Sequence, residues 1–236
     1  TFIVVGGGPT GVELAGAIGE MTRFTLARDF RSIDPKLTRI ILVEAGPRIL
    51  TSFDESLSSM ATRDLESLGV QVWTQSAVSE VSDDDVLVGK ERISAATVLW
   101  AAGTRPSKIG ERMKADLDGQ GRVKVKSDLS LKDHPEVFIA GDQACVIGKN
   151  GQPLPAIAPV ARQQGKFIAK TILNELNSKP RKPFSYLDKG QMATIGRKKA
   201  IVEVRGLRFG GFAAWVAWLF IHIFYLSGFK NRILVL

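Results

Sequence analysis

The 236-residue chain has one cysteine, Cys145, and two histidines, His134 and His222. A lone cysteine excludes an intrachain disulfide and a thiolate metal cluster, and two imidazoles are a meagre ligand set, so no metal site is expected. No internal repeat and no low-complexity tract is present, which sets repeat and linker architectures aside. Acidic residues are scarce at the back: from Ile147 onward 3 Asp and Glu face 15 Lys and Arg, a balance of +12. Up to Val146 the counts are 21 and 17, a balance of −4. This asymmetry points to a partner of negative surface at the back, phospholipid or nucleic acid. The composition, 44% hydrophobic and 24% charged, is that of a globular chain able to bury one large core or two modest ones. Residue 1 is not methionine, and the sequence opens on Phe2-Ile3-Val4-Val5 and closes on Ile233-Leu234-Val235-Leu236. It is read as an internal piece of a longer protein.

The apolar pattern predicts a buried strand at 2–5, a helix from Pro9 to about Phe30, and a second strand from Arg39 to Val43. A helix follows over Asp54–Leu68, with Asp54 at the N-cap, then a strand at Val70–Trp73. Short runs at Val78–Val81, Val86–Val88 and Val98–Ala101 mark a small antiparallel excursion instead of another crossover helix. Strands are predicted at Arg122–Val125 and Val137–Ala140, a helix from Val160 to about Leu176, and a hairpin of Met192–Ile195 with Ala200–Val204.

Gly6-Gly7-Gly8-Pro9-Thr10-Gly11 contains Gly-x-Gly-x-x-Gly. The pattern is weak alone, but here it follows a strand and opens a helix, the context it needs. Gly6 allows the turn, Gly8 lets backbone approach a pyrophosphate, and Gly11 lets helix and strand pack closely. The pyrophosphate would sit on free amides at the positive end of the helix dipole. Glu44, ending the next strand, can accept both ribose hydroxyls of an adenosine and repel a 2′-phosphate, which favours NADH over NADPH. Its spacing departs from the usual unit: 33 residues past Gly11, against roughly 20. The plain alternatives are a structural turn and a strand-end surface charge.

These residues carry a resemblance. The run Val5-Gly6-Gly7-Gly8-Pro9-Thr10-Gly11-Val12-Glu13-Leu14-Ala15-Gly16 resembles the NADH-binding motif of the two-dinucleotide flavoprotein reductases. Trp100-Ala101-Ala102-Gly103-Thr104-Arg105-Pro106 is similar to the point where their NADH domain returns the chain to the FAD domain. Val137-Phe138-Ile139-Ala140-Gly141-Asp142 resembles their second FAD motif. Ala156-Ile157-Ala158-Pro159-Val160-Ala161-Arg162-Gln163-Gln164-Gly165 and Lys189-Gly190-Gln191-Met192-Ala193-Thr194-Ile195-Gly196-Arg197 look like type II NADH dehydrogenase, a non-proton-pumping NADH:quinone oxidoreductase. Trp218–His222 and Gly228–Arg232 are similar to its membrane-associated region. The resemblance implies an α/β fold in three parts. Residues 1–104 would be a Rossmann-like NADH-binding domain. Residues 105–176 would be the second part of a discontinuous FAD-binding Rossmann-like domain, whose N-terminal segment the sequence lacks. Residues 177–236 would be a C-terminal membrane-associated region.

The resemblance also implies site roles. Glu13 would hold the nicotinamide carboxamide, although the helix dipole alone favours a carboxylate there. Gly103 would pass close to the dinucleotide, and Gly141 and Asp142 would meet the ribityl chain. Ala158, Val160 and Ala161 would point the positive end of a helix at the flavin. Pro159 stands where some members carry a glutamine, which puts the quinone contact of that residue in doubt. Arg162 and Gln163 are the candidates for the quinone site, a solvated helix face being the alternative. Cys145 is read as a packed residue, since no Cys-x-x-Cys pair exists.

Phe209–Ser227 holds no charged residue over 19 positions, and as a helix would span roughly 28 Å against an apolar thickness of about 30 Å. Basic residues on both sides, end-breaking glycines and Trp215, Trp218 and Tyr225 favour a helix lying in the membrane interface. Nucleic acid is not expected, because no aromatic residues interleave the basic ones. The expected function is hydride transfer from NADH to FAD and then two electrons to a membrane quinone, without ion pumping. The expected setting is monotopic, on the cytoplasmic face of a bacterial-type inner membrane, with a homodimer among the partners. Two alternatives stay open: an NADH oxidase or ferredoxin reductase of the same superfamily, and an NADH-binding fragment inactive by itself.

Overall fold

The computed structural model describes residues 1–26, 34 and 37–225. Two compact units emerge: Thr1–Gly103 together with Lys189–Leu236, and Thr104–Asp188.

In the first unit a parallel sheet has the order β3-β2-β1-β7, built from β1 (Phe2–Val5), β2 (Ile40–Val43), β3 (Val70–Trp73) and β7 (Thr97–Trp100). Phe2 sits beside Ile40 on one side and Thr97 on the other, so β1 is the strand where the order reverses. Helices α1 (Pro9–Glu20) and α2 (Glu55–Ser67) make the crossovers. The Asp54 side chain accepts from the Ser56 amide and caps α2 as expected.

β1 and β2 are continuous apolar runs because both of their faces are buried. Val4, Ile40 and Leu42 join Val12, Ala15, Leu57 and Leu65 under the helices. Ile3, Val5, Ile41 and Val43 face the other way, onto Val86, Val88 and Ile93. Those last residues belong to a small antiparallel sheet of β4 (Val78–Val81), β5 (Asp85–Val88) and β6 (Glu91–Ser94). β6 is not legible in the apolar pattern, since only Ile93 of its four residues is buried. The Val98–Ala101 run leaves the antiparallel excursion and completes the parallel sheet as β7.

The predicted long first helix continues past α1 as a wider π-helical turn over Met21–Thr25. The part of that prediction from Ala27 to Phe30 lies outside the described residues. β10 (Gln191–Thr194) and β11 (Ala200–Val204) form the expected hairpin, extended by β12 (Leu207–Gly211). This sheet docks on α1, where a Cβ at Gly16 would lie 2.8 Å from the Gly196 nitrogen. α5 (Phe212–Tyr225) has 14 residues, fewer than the 19-residue uncharged run. β12 takes Phe209 to Gly211, while Leu226 and Ser227 lie outside the described residues. At 14 residues it is about 21 Å long, and among the described residues no helix is long and apolar enough to cross a membrane. Trp215 and Trp218 pack against Val202 and Ala214, not outward. Phe212, Phe220, Ile221 and Phe224 are exposed.

The second unit holds the short parallel pair β8 (Val123–Lys124) and β9 (Ala144–Cys145), the one-turn helix α3 (Ile109–Arg112) and the long helix α4 (Ala158–Leu176). The predicted strand at Val137–Ala140 is reduced to a single bridge between Ser130 and Phe138. Two backbone bonds join it to Leu129 and Leu131 and a third closes a turn from Val137 to His134, too few for a ladder.

Candidate functional site

A cleft of about 460 Å³ opens at the carboxyl ends of β1, β2 and β7, beside the strand where the order reverses. That is where open α/β sheets bind ligands. Its floor is the glycine turn. Gly6 has φ +109°, and a Cβ on it would fall 2.7 Å from the Ala101 carbonyl. The β7 end is held this close by the Ala101 amide donating to the Val5 carbonyl at 2.7 Å. A Cβ at Gly11 would overlap the Gly6 carbonyl oxygen, so the helix packs directly on the turn. At Gly8 the opposite holds: no protein atom lies within 4 Å of the Cβ position. Gly8 is also the N-cap of α1, without a side-chain cap, and Pro9 opens the helix. The start of α1 is thus uncapped and has open space at Gly8, as an anion seat requires.

Glu44 closes the far side. The Gly7 amide donates to its Oε2 and the Gly46 amide to its Oε1, each at 2.6 Å. Two charge-assisted bonds fix the carboxylate at the cleft wall. Arg48, the nearest basic side chain along the chain, is turned away and donates to the carbonyls of Leu50, Thr51 and Phe53. Gly103, φ +93°, lies on the cleft rim with open space around its Cβ position. Glu13 is half-buried and accepts from the Thr194 amide at 3.3 Å on β10, which ties α1 to the C-terminal sheet.

In the second unit Gly141 (φ +71°) opens a 3₁₀ turn, Gly141–Gln143, in which Asp142 is exposed. The Gly141 amide donates at 2.6 Å to Oε1 of Gln164. Ala158 starts α4 behind an N-cap, Ile157, without a side-chain bond. Val160 and Ala161 both donate to the Ile157 carbonyl, at 3.0 and 3.1 Å, so their amides are taken up within the first turn. Arg162 is exposed. Gln163 is half-buried and engaged: its amide group pairs with both the N–H and the C=O of Leu187. Gln164 and the Gly46 clamp are the site features that sequence reasoning missed. The Glu44-Ala45-Gly46-Pro47 turn signal pointed to the second, whereas nothing in the apolar pattern distinguishes Gln164 from a surface glutamine.

Cys145 is buried. Burial, and then its bond to Asp118, push the thiol up from its ordinary range, which makes it inert. Burial works to raise Asp118, but bonds from the Arg122 backbone and side chain, the Gln120 amide and Cys145 hold it down at about 2. The described residues contain no cluster able to hold a metal ion.

Residues 1–165 match the pyridine nucleotide-disulphide oxidoreductase family. The whole chain is 40% identical to the type II NADH:quinone oxidoreductase Ndh of Mycobacterium tuberculosis and 41% identical to NdhA of the same organism. It spans about half, 52%, of each of these curated relatives. Among solved structures, NDH2 of Plasmodium falciparum in complex with NADH superposes with a TM-score of 0.87 at 16% identity, over 99% of this chain and 64% of that one. The water-forming NADH oxidase of Lactobacillus brevis follows at 0.66 and 20% identity, over 85% and 41%. The relatives are those the sequence motifs resemble, and the cofactors that the family implies are NADH and FAD. From the matched residues, and with a Rossmann-like α/β fold to go with them, the chain belongs to the pyridine nucleotide-disulphide oxidoreductase family.

Proposed function

We propose that this chain is part of a flavin-dependent NADH:quinone oxidoreductase that moves two electrons from NADH to a membrane quinone without pumping ions. The observation that carries the reading is Glu44, fixed by two amides beside an open glycine turn. The α1 amides at Gly8 take the pyrophosphate, and Glu44 takes the adenosine ribose. Gly103 lets the dinucleotide pass, and Glu13 orients the nicotinamide end. Residues 1–104 are in this reading the NADH domain, and 105–176 the second part of the FAD domain.

FAD, when bound, supplies the hydride acceptor and the two-electron donor. The chain's own residues fit that group: Asp142, exposed in the turn that the left-handed Gly141 opens, would meet the hydroxylated ribityl chain, and the uncapped start of α4 would offer it a positive dipole end. Because the Val160 and Ala161 amides are internally bonded, they contribute through that dipole, not through direct donation. Arg162 faces the quinone, and Gln163 acts through the Leu187 segment that it holds. Residues 177–236, with the exposed aromatic face of α5 and the basic excess, sit peripherally on anionic phospholipid at the cytoplasmic face.

The test is turnover of the complete protein with NADH and a short-chain quinone. Quinone reduction with no ferredoxin reduction is expected. Ferredoxin reduction, or oxygen consumption without quinone, would move the assignment to a neighbouring enzyme of the superfamily.

A further inference from the structure

The Gly141–Gln143 turn has one closing bond of its own, from the Ala144 amide to the Gly141 carbonyl, and is held from outside as well. Gly141 adopts a left-handed φ of +71°, and its amide bonds 23 residues away to Oε1 of Gln164 at 2.6 Å. Gln164 is 1% exposed, one of the few buried polar side chains in the second unit. Ala161, three residues earlier and on the same face of α4, lies 3.7 Å from the Cβ position of Gly141. Side chain and methyl together form a fitted floor under the turn. The Gly141 amide is half-buried, and losing its acceptor there costs stability, so the buried Gln164 oxygen fixes the entry of the turn. Its neighbour Gln163 serves a different segment, clamping Leu187. The two adjacent glutamines thus have separate tasks.

We propose that Gln164 is the positioning residue of the flavin-facing turn: its buried side-chain oxygen holds Gly141 and thereby aims the exposed Asp142 carboxylate at the ribityl chain. This rests on the FAD reading given above. Gln164 touches neither flavin nor substrate and acts only through Gly141.

The experiment uses the complete protein with Gln164→Met, which keeps the volume and removes the acceptor, and Gln164→Glu, which restores an oxygen on the same number of bonds. FAD affinity is measured by flavin titration of the FAD-free protein, and hydrogen exchange of the Gly141 amide is followed without FAD. A slow Gly141 amide is expected in the unsubstituted protein. Gln164→Met should weaken FAD binding by about tenfold or more and speed Gly141 exchange, with NADH titration unchanged. Gln164→Glu should recover most of both. Fast Gly141 exchange in the unsubstituted protein, or full FAD affinity in Gln164→Met, overturns the proposal. Should Gln164→Met not fold, the unsubstituted exchange rate and the Gln164→Glu affinity decide. If the unsubstituted protein takes up no FAD, the flavin reading fails, while the exchange result still judges the Gln164 bond.

Discussion

Glu44→Gln isolates the charge that the cofactor choice is proposed to rest on. In the native cleft both carboxylate oxygens accept an amide at 2.6 Å, one from Gly7 and one from Gly46. Glutamine keeps one acceptor and turns an NH₂ toward the other amide, so one of the two bonds is lost. That costs the folded protein about 1 kcal/mol, a fall in melting temperature of roughly 2–4 °C. The effect on nucleotide choice is larger. A carboxylate about 4 Å from a 2′-phosphate charge opposes it by about 4 kcal/mol at an effective dielectric constant near 20. The open cleft screens part of this, leaving about 2 kcal/mol, or roughly 30-fold in binding. NADH, which loses a charge-assisted ribose contact, should weaken by about tenfold. The assay is kcat/KM for NADH and for NADPH in the complete protein, supported by titration of each nucleotide. Their ratio should fall by roughly two orders of magnitude from the two effects combined. An unchanged ratio, with the small melting shift present, would mean that Glu44 does not face the adenosine sugar. Glu44→Arg should go further and admit NADPH.

The second and third glycines of the motif should separate by readout. Gly8→Ala, whose added methyl meets no protein atom, should leave the melting temperature within a degree or two and still weaken NADH by about tenfold. Gly11→Ala, which forces a methyl into the Gly6 carbonyl, should lower stability itself by roughly 1–3 kcal/mol. Equal behaviour of the pair in thermal melts and NADH titration would refute the assignment. The Asp118–Arg122 pair predicts a limb of acid sensitivity. The folded carboxyl sits at about 2, below its ordinary value of 3.8. Its contribution is therefore complete above 3.8 and is lost as pH falls through about 2. Asp118→Asn should remove roughly 1–2 kcal/mol at neutral pH and flatten that limb in urea melts. Phe220 and Phe224 are 70% and 68% exposed. Replacing both by serine should cut co-sedimentation with anionic vesicles by at least about tenfold with the melt unchanged, whereas Trp215→Ser, on the packed face, should destabilise the chain.

Local signals made the first hundred residues readable. Strands buried on both faces leave continuous apolar runs, and the glycine turn lies between neighbours in sequence, so strand, turn and α1 could be named from order alone. Glu44 was legible because strand ends in this topology meet at one edge. Legibility failed where backbone pairing, not apolar burial, makes the element. β6 buries one residue of four, and β12 pairs only because β11 offers an edge. The 19-residue uncharged run read as one long helix, but its first residues are drawn into β12 by backbone pairing that hydropathy does not encode. The tryptophans of α5 looked like interface anchors by type, and packing against Val202 decided otherwise.

Sequence by itself determined the parts of the proposed nucleotide seat, because a glycine turn, a helix start and a strand-end acid need only short-range geometry to come together. Tertiary structure alone decided what each polar side chain is committed to. Gly46 and Gly7 hold Glu44, three carbonyls hold Arg48, Leu187 holds Gln163, and Gln164 holds Gly141. A hydrogen bond exists only once the fold brings donor and acceptor within about 3 Å, and no local pattern records which distant amide that will be.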